Sequence, residues 1–199
     1  MNKVPNTPRL PRFIALVGNP QAGKSLVQEI LLYNYGARPI DSGLPLRQIA
    51  MQHYGLSKHQ VFTQEGKLEH IEVLGRRWQV RELLGELGNR FEEMHGDCAT
   101  PWMAVRSIDN DDAGPFCDAS CRKGQGLFYK SLGGVVIGIR NPMAPESPYA
   151  FDKVREEIPD YWIENDALML GMSHFDARKD LDKKVDVAVA FIASQKLAA

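Results

Sequence analysis

Eight consecutive residues, Gly18 to Ser25, match the phosphate-loop pattern G-x-x-x-x-G-K-[ST] at every position. The glycines let the backbone approach an anion closely, and successive N–H groups then point at that anion. In such a loop Lys24 contacts the β- and γ-phosphates of a nucleoside triphosphate, and the hydroxyl of Ser25 ligates Mg²⁺. The residues expected to bind the nucleotide are Gly18, Asn19, Gln21, Ala22, Gly23, Lys24, Ser25 and Leu26.

The sequence on both sides of this loop predicts the elements that position it. Residues 13–17 (FIALV) form a continuous apolar run typical of a buried parallel strand, and residues 26–32 have the apolar spacing of a helix. An ordinary glycine-containing turn between a strand and a helix is the simpler alternative. Because the motif is complete and both flanks have the required character, we predict a nucleotide-binding loop.

Length and composition narrow the class of protein. The 199 residues suit one domain, 12–199, preceded by a flexible arm at 1–11 that carries three prolines. A formal net charge of −1 favours neither duplex nucleic acid nor an anionic membrane surface as a partner. The three cysteines are poorly spaced for a zinc site, and no apolar run approaches the ~18 residues of a membrane span. We therefore expect a cytoplasmic protein with reduced thiols.

Hydrophobic periodicity and helix-end signals predict the remaining elements. Strands are expected at 13–17, 38–40, 116–119, 135–139 and 161–163, and helices at 25–35, 46–54, 78–95, 101–107, 126–132 and 178–195. The clearest apolar stripe, within 78–95, consists of Val80, Leu83, Leu84, Leu87, Phe91 and Met94. Thr100 would cap the helix at 101–107, and 56–76 is expected to be a loop or a weak hairpin. Alternating strands and helices predict a central parallel sheet flanked by helices on both faces.

A phosphate loop alone leaves GTPases, motor ATPases and small-molecule kinases open. The base-reading N/T-K-x-D sequence of GTPases does not occur, and the one weak Walker B candidate is the short run at 115–118 (PFCD). Small size, scattered arginines and a proline-rich segment at 141–149 favour a kinase of small metabolites, with 141–149 as a lid that orders on nucleotide binding. Such kinases work by positioning and by neutralising charge with Mg²⁺, lysine and arginine. The arginines available are Arg47, Arg76, Arg77, Arg81, Arg90, Arg106, Arg122 and Arg140.

Five short segments resemble, in the same order, the bacteriophage deoxynucleoside monophosphate kinases. The longest is 78–88, whose W-x-V-R-x-L-x-x-x-L-G run is similar to the central helix of that family. The others are 45–47 (PLR), 101–103 (PWM), 131–137 (SLGGVVI) and 163–166 (IEND). Together they extend the resemblance over about residues 12–190.

This resemblance implies a three-layer α/β P-loop kinase fold and transfer of the γ-phosphoryl group of ATP to a deoxynucleoside monophosphate, with Mg²⁺. Arg81 would grip the acceptor phosphate with its guanidinium fork, and Arg47 would be a second phosphate ligand. Trp102 would pack against the sugar or base, with a core tryptophan as the alternative. The implied substrate-binding residues are Arg47, Arg81, Gly88, Trp102 and Asp118, and the implied catalytic residues are Lys24 and Arg122.

The chain departs from that family at two places. Gly85 stands where the family usually has glutamine, and 118–125 only partly matches the family's D-x-R-x-x-x-E segment. An alignment without gaps, counted back from 133–134 (GG), puts Cys121 at the family's arginine position. A one-residue insertion in the turn puts Arg122 there, and we prefer this second alignment. Two other functions stay open: a P-loop kinase of another acceptor (a modified nucleotide, a base in DNA or a small metabolite), and a non-catalytic nucleotide-binding module. The acceptor's base and the formation of a homodimer are also left open.

Overall fold

The computed structural model describes residues 10–197, so most of the predicted arm at 1–11 lies outside the described residues. The strands are Phe13–Val17 (β1), Arg38–Ile40 (β2), His70–Val73 (β3), Arg76–Gln79 (β4), Phe116–Asp118 (β5), Val135–Arg140 (β6) and Tyr161–Glu164 (β7). The helices are Lys24–Tyr35 (α1), Leu44–Tyr54 (α2), Lys58–Phe62 (α3), Gln64–Leu68 (α4), Val80–His95 (α5), Ala99–Arg106 (α6), Gly126–Ser131 (α7) and His174–Leu197 (α8), with a 3₁₀ turn at Ala150–Asp152. The described chain divides into two compact units, 10–40 with 109–197, and 41–108. The single domain proposed for 12–199 stays a prediction.

The first unit is built on a five-stranded parallel sheet with the order β2-β5-β1-β6-β7. All five residues of the central strand β1 are buried, which explains its unbroken apolar run. One face of the sheet, with Leu16 and Ile139, packs against α1 and α8. The opposite face packs against α7, where Tyr129 contacts Phe13. The predicted three-layer α/β fold, a central parallel sheet flanked by helices, is confirmed.

The second unit contains α2 to α6 and the antiparallel hairpin β3–β4. Val80 and Leu83, from the predicted stripe of α5, lie in its core, and Leu84 and Leu87 pack beside them. The prediction fails at the end of the helix, where Met94 is 75% exposed. The last turn of α5 extends past this core, so its apolar spacing does not lead to burial.

The segment 56–76, predicted as a loop or a weak hairpin, contains the first strand of the hairpin β3–β4, but it also contains two helices, α3 and α4, that were not predicted. Ser57 starts α3 with a capping box, because its Oγ accepts from the N–H of Gln60 while Gln60 Oε1 accepts from the N–H of Ser57. Thr63 caps α4 in a similar way, accepting from the N–H of Gly66 at 2.9 Å. Helices of five residues are too short to show an apolar period, so only their caps could have predicted them.

Several predicted helix starts are displaced by one to four residues, and α8, expected from 178, begins at His174. α5 begins at Val80 rather than at 78, because Trp78 belongs to β4 and pairs with Ile71 in β3. α6 begins at Ala99, so Thr100 is a buried helical residue rather than the N-cap. None of the helices in the described part of the chain is both long enough and apolar enough to cross a membrane.

Candidate active site

The phosphate loop joins the carboxyl end of β1 to α1 through backbone conformations that its glycines permit. Gly18 has a φ of 154° and Gly23 a φ of 106°, and Gln21 between them has a φ of 63°. A side chain at Gly18 would also put a Cβ 2.4 Å from the carbonyl oxygen of Ile139 in β6. The loop is therefore pressed against the neighbouring strand, and a residue larger than glycine would displace it.

The amino end of α1 faces the loop that precedes it. α1 begins at Lys24 with Gly23 as its N-cap, and among the described residues no side chain caps it and none in its first turn is acidic. The first N–H groups of a helix and the helix dipole together attract an anion. Ser25 is exposed in the same turn, so a hydroxyl ligand for Mg²⁺ lies next to these donors. The residues present thus fit a phosphate group with an accompanying Mg²⁺.

Lys24 turns back over the loop. Its Nζ donates to the carbonyl oxygen of Gly18 at 2.6 Å and to that of Asn19 at 2.8 Å. This places the ammonium charge on the loop itself, within reach of phosphate oxygens that the loop would hold. The role of Lys24 at the β- and γ-phosphates stays a prediction that this geometry permits.

Asn165, directly after β7, contacts the same loop. Its Nδ2 donates to the carbonyl oxygen of Ala22 at 2.9 Å, and a Cβ at Gly23 would lie only 2.5 Å from that nitrogen. The backbone N–H of Asn165 donates to the carbonyl oxygen of Arg140 at 2.7 Å. The end of β6, the end of β7 and the phosphate loop therefore meet at this side chain.

Asp118 ends β5, next to β1 in the sheet, and its side chain is fully buried. Its Oδ2 accepts from the hydroxyl of Tyr129 at 2.7 Å and from the thiol of Cys121 at 3.4 Å, and its Oδ1 accepts from the N–H of Ser120 at 2.8 Å. Burial, and then the charge of Asp118, raise the pKa of Tyr129 and the pKa of Cys121. Both groups therefore keep their protons at neutral pH and continue to hydrogen-bond Asp118. Asp118 ends the run 115–118 that was the weak Walker B candidate, and both that role and its contact with a substrate stay predictions.

Arg122 lies in the turn between β5 and α7 and is half-buried. Its guanidinium carbon is 5.4 Å from the ring centre of Phe151, which stacks on Tyr149 with the ring centres 4.9 Å apart. The side-chain oxygen of Gln125 accepts from the backbone N–H of Arg122 at 3.1 Å. Arg122 thus lies beside the segment that follows β6. Cys121, the alternative residue for the family's arginine position, instead contacts Asp118. The catalytic role of Arg122 stays a prediction.

A cavity of about 290 Å³ lies beside the phosphate loop at the ends of β6 and β7. Its lining includes Gly18, Asn19, Arg140, Asn141, Pro142, Glu156, Trp162 and Glu164. The guanidinium carbon of Arg140 lies 4.0 Å from the ring centre of Trp162, and its nitrogens pair with Glu156 and with Glu164. The start of 141–149 therefore adjoins the phosphate loop, as expected of a lid, while its ordering on nucleotide binding stays a prediction.

The other predicted acceptor residues belong to the second unit. Arg47 in α2 pairs with Asp41, and its guanidinium carbon lies 5.3 Å from the ring centre of Phe62. Arg81 is half-buried in the first turn of α5, and Gly88 is buried about two turns further along the same side. Arg81 and Gly88 are therefore aligned on one face of α5.

Trp102 lines a second cavity, of about 580 Å³, within the second unit. The other residues of its lining are Phe91, His95, Cys98, Ala99 and Met103. Trp102 is 52% exposed, so it is not a core tryptophan. Phe91 follows Arg81 by ten residues, or about 15 Å along a helix axis. Trp102 thus lies near the end of α5 that is farther from Arg81. Its contact with the acceptor stays a prediction.

Sequence reasoning did not assign a role to Asn165, Tyr129 or Trp162. Asn165 lies in the IEND segment, so the resemblance marked its neighbourhood but not its contact with Ala22, 143 residues away along the chain. Tyr129 lies in a correctly predicted helix, yet no local pattern connects it with Asp118. Both contacts arise only when the sheet and its loops are assembled.

Neither a protein-family model nor a curated protein sequence matches this chain. Among solved structures, the chain is similar to dephospho-CoA kinase from Campylobacter jejuni, with 14% identity, coverage of 94% of this chain and 100% of that one, and a TM-score of 0.46. It is also similar to shikimate kinase from Aquifex aeolicus (15% identity, 91% and 98% coverage, TM-score 0.43) and to a sugar kinase from Janibacter sp. (13% identity, 90% and 97% coverage, TM-score 0.38). Similarity at this level does not indicate a substrate. The parallel sheet and the complete phosphate loop define the class, a three-layer α/β P-loop protein.

Proposed function

We propose that this chain is a kinase that transfers the γ-phosphoryl group of ATP to a (deoxy)nucleoside monophosphate, with Mg²⁺ as its metal ion. The phosphate loop carries the proposal. It combines a complete motif, glycines with positive φ, an uncapped helix N-terminus and Lys24 lying over the loop. The acceptor class rests on the resemblance of 45–47, 78–88 and 101–103, all in the second unit, to the phage deoxynucleoside monophosphate kinases.

The residues of the first unit would act by positioning and by charge. Backbone N–H groups of the loop and of the first turn of α1 would hold the phosphates, and Lys24 would stabilise the negative charge that spreads over the transferred phosphoryl group. Ser25 would hold Mg²⁺, which when bound screens the charge of the phosphates. Arg122 would add a second positive charge from the turn after β5.

The second unit would bind the acceptor. Its residues are inserted between β2 and β5 of the first unit and supply Arg47 and Arg81. The side chain of Arg47 is only 16% exposed and is already oriented by Asp41, an arrangement in which a phosphate can replace the carboxylate. These arginines favour a phosphorylated acceptor over simple hydrolysis of ATP.

A second candidate function is phosphorylation of another acceptor: a modified nucleotide, a base in DNA or a small metabolite. Two observations favour it. Gly85 lacks the amide side chain that the resembling family usually has at this position, and Trp102 lines a cavity at the far end of α5 from Arg81. A base contact made by these residues in the family would therefore be absent or moved here.

The deciding experiment incubates the protein with Mg-ATP and a panel of nucleoside and deoxynucleoside monophosphates. ADP release is followed by a coupled assay, and the product is identified by chromatography. Release that requires one or a few monophosphates supports the proposal, and turnover with a different acceptor alone supports the second candidate. Release without any acceptor indicates an ATPase, and ATP binding without turnover indicates a non-catalytic module. Lys24→Ala serves as the blank for contaminating kinases. A homodimer and a cytoplasmic location stay predictions.

A further inference from the structure

We infer that Asn165 is a positioning residue for the phosphate loop: through Ala22 and Gly23 it holds the loop in its anion-binding conformation, and so governs affinity for the phosphates rather than for the nucleoside. The inference rests on the proposed nucleotide binding and deepens it. It assigns a role to a residue outside the phosphate-loop motif.

The contact with Ala22 determines how one peptide group of the loop is oriented. Asn165 Nδ2 donates to the carbonyl oxygen of Ala22 at 2.9 Å, and Ala22 is itself buried. A trans peptide group is planar, with its C=O and N–H pointing in opposite directions. Holding the carbonyl of Ala22 towards Asn165 therefore directs the N–H of Gly23 away from it. That N–H is one of the donors that a phosphate loop presents to its anion.

The contact with Gly23 is steric. Gly23 has a φ of 106°, a conformation that residues with a side chain rarely adopt. The amide of Asn165 occupies the space that a side chain at this position would need, since an added Cβ would lie 2.5 Å from Nδ2. The two residues are thus in direct contact at the amino end of α1, and a side chain at Gly23 would displace the amide of Asn165.

Asn165 is itself held by two other elements, so it can serve as a fixed support. Its backbone N–H donates to the carbonyl oxygen of Arg140 at 2.7 Å, which attaches it to the end of β6. On either side of it, Lys184 of α8 donates to the carbonyl oxygen of Glu164 at 2.8 Å and to the carboxylate of Asp166 at 2.7 Å. Because Asn165 is already held in place, little conformational entropy is lost at this residue when a ligand binds.

The test separates phosphate affinity from general stability. Dissociation constants for Mg-ATP and for Mg-tripolyphosphate are measured by calorimetry, and that for adenosine by competition with a fluorescent ATP analogue. Asn165→Leu removes the donor at similar volume and should weaken Mg-ATP and tripolyphosphate by about tenfold, with adenosine unchanged. Asn165→Asp keeps the shape but sets a carboxylate against the carbonyl oxygen of Ala22, and should weaken both phosphate ligands further.

Asn34→Leu is the matched control. Asn34 also donates through Nδ2, to Asp182 at 3.1 Å, but it lies ten residues after Lys24 in α1, about 15 Å along the helix axis. This variant should bind all three ligands as the wild type does. Thermal unfolding of each variant without ligand shows whether it is folded. Asn165→Leu and Asn165→Asp differ in charge and polarity, so either one that folds is enough to test the inference.

Three outcomes overturn the inference. Tripolyphosphate affinity unchanged in a folded Asn165 variant shows that the loop does not depend on this side chain. Equal weakening of adenosine and tripolyphosphate shows a general structural role only. A wild-type protein that binds neither Mg-ATP nor tripolyphosphate overturns the proposed function itself. The wild type is therefore measured before the variants.

Discussion

The ammonium group of Lys24 donates to the carbonyl oxygen of Gly18 at 2.6 Å, so a side chain joins the last part of the phosphate-loop motif to its first residue. Asn19 accepts a second hydrogen bond from the same group at 2.8 Å. Both acceptors are neutral carbonyl groups, and an anionic phosphate oxygen is a stronger acceptor for a charged donor. A phosphate oxygen held by the loop can therefore replace either carbonyl group as an acceptor for Lys24.

Replacing Lys24 by alanine should lower turnover by about 10²–10⁴-fold, because it removes a preorganised charge that stabilises the transferring phosphoryl group. The fold should survive, since the side chain is only partly buried. The coupled ADP-release assay measures turnover, and thermal unfolding followed by circular dichroism checks the fold. Near-normal turnover in a folded Lys24→Ala protein would mean that the loop is not a catalytic phosphate loop.

Replacing Ser25 by alanine should shift the Mg²⁺ dependence of the reaction to higher Mg²⁺ concentration, because a hydroxyl ligand of the ion is lost. The measurement is a Mg²⁺ titration of the initial rate at saturating ATP. Ser131→Ala is the control, since Ser131 lies in α7 and its exposed hydroxyl donates to the carbonyl oxygen of Phe128 at 2.7 Å. Superimposable titrations for Ser25→Ala and the wild type would exclude a ligand role.

Replacing Arg81 by lysine should raise the KM for the acceptor and lower kcat, with the KM for ATP nearly unchanged. A lysine keeps the charge but cannot reproduce the planar fork that grips a phosphate through two hydrogen bonds. Arg90→Lys is a control on the same helix, because Arg90 is exposed and pairs with Glu93. If Arg81→Lys leaves acceptor kinetics intact, or weakens ATP to the same extent, Arg81 is not an acceptor-phosphate ligand.

Binding of an ATP analogue should protect 141–149 from proteolysis. This segment contains no helix or strand and begins beside the cavity that Gly18 and Asn19 line. A lid that orders over the phosphates excludes water and becomes a poorer protease substrate. Limited proteolysis with mass spectrometry, with and without the non-hydrolysable analogue and Mg²⁺, locates the cuts. Equal cleavage rates in this segment under both conditions would count against a lid.

Iodoacetamide should label Cys98 far faster than the other two cysteines in the native protein. Cys117 and Cys121 are buried, and burial together with the charge of Asp118 raises the pKa of each thiol well above its ordinary value. Cys98 is exposed, although partial burial of its thiol raises its pKa as well. Because the thiolate is the nucleophile, labelling of Cys98 should be slow at pH 7 and increase as the pH rises.

Peptide mass spectrometry after timed alkylation identifies the labelled thiols. A sample denatured in urea, in which all three cysteines should react, serves as the control. Comparable labelling of Cys121 and Cys98 in the native protein would show that the region around Asp118 opens readily, contrary to the burial of Asp118 and Cys121 in the structure.

Local sequence signals were sufficient to predict the strands of the parallel sheet and the phosphate loop. β1 reads as a strand because it is buried on both faces, and α1 ends at Gly36, whose φ of 70° only glycine adopts easily. The same kind of signal failed at two places in the second unit. Met94 has the apolar spacing of α5 but is exposed, and Thr100 has the capping preference of an N-cap but is a buried residue inside α6.

The sequence by itself thus determined the class of this protein, because a phosphate loop is a contiguous segment whose strand, glycines and helix are all local. Only the tertiary structure decided which distant residues support that loop. Asn165 reaches Ala22 across 143 residues, and Tyr129 reaches Asp118 only once α7 has packed on the sheet. Such contacts depend on strand order and on the placement of loops at one edge of the sheet, which no periodicity along the chain encodes.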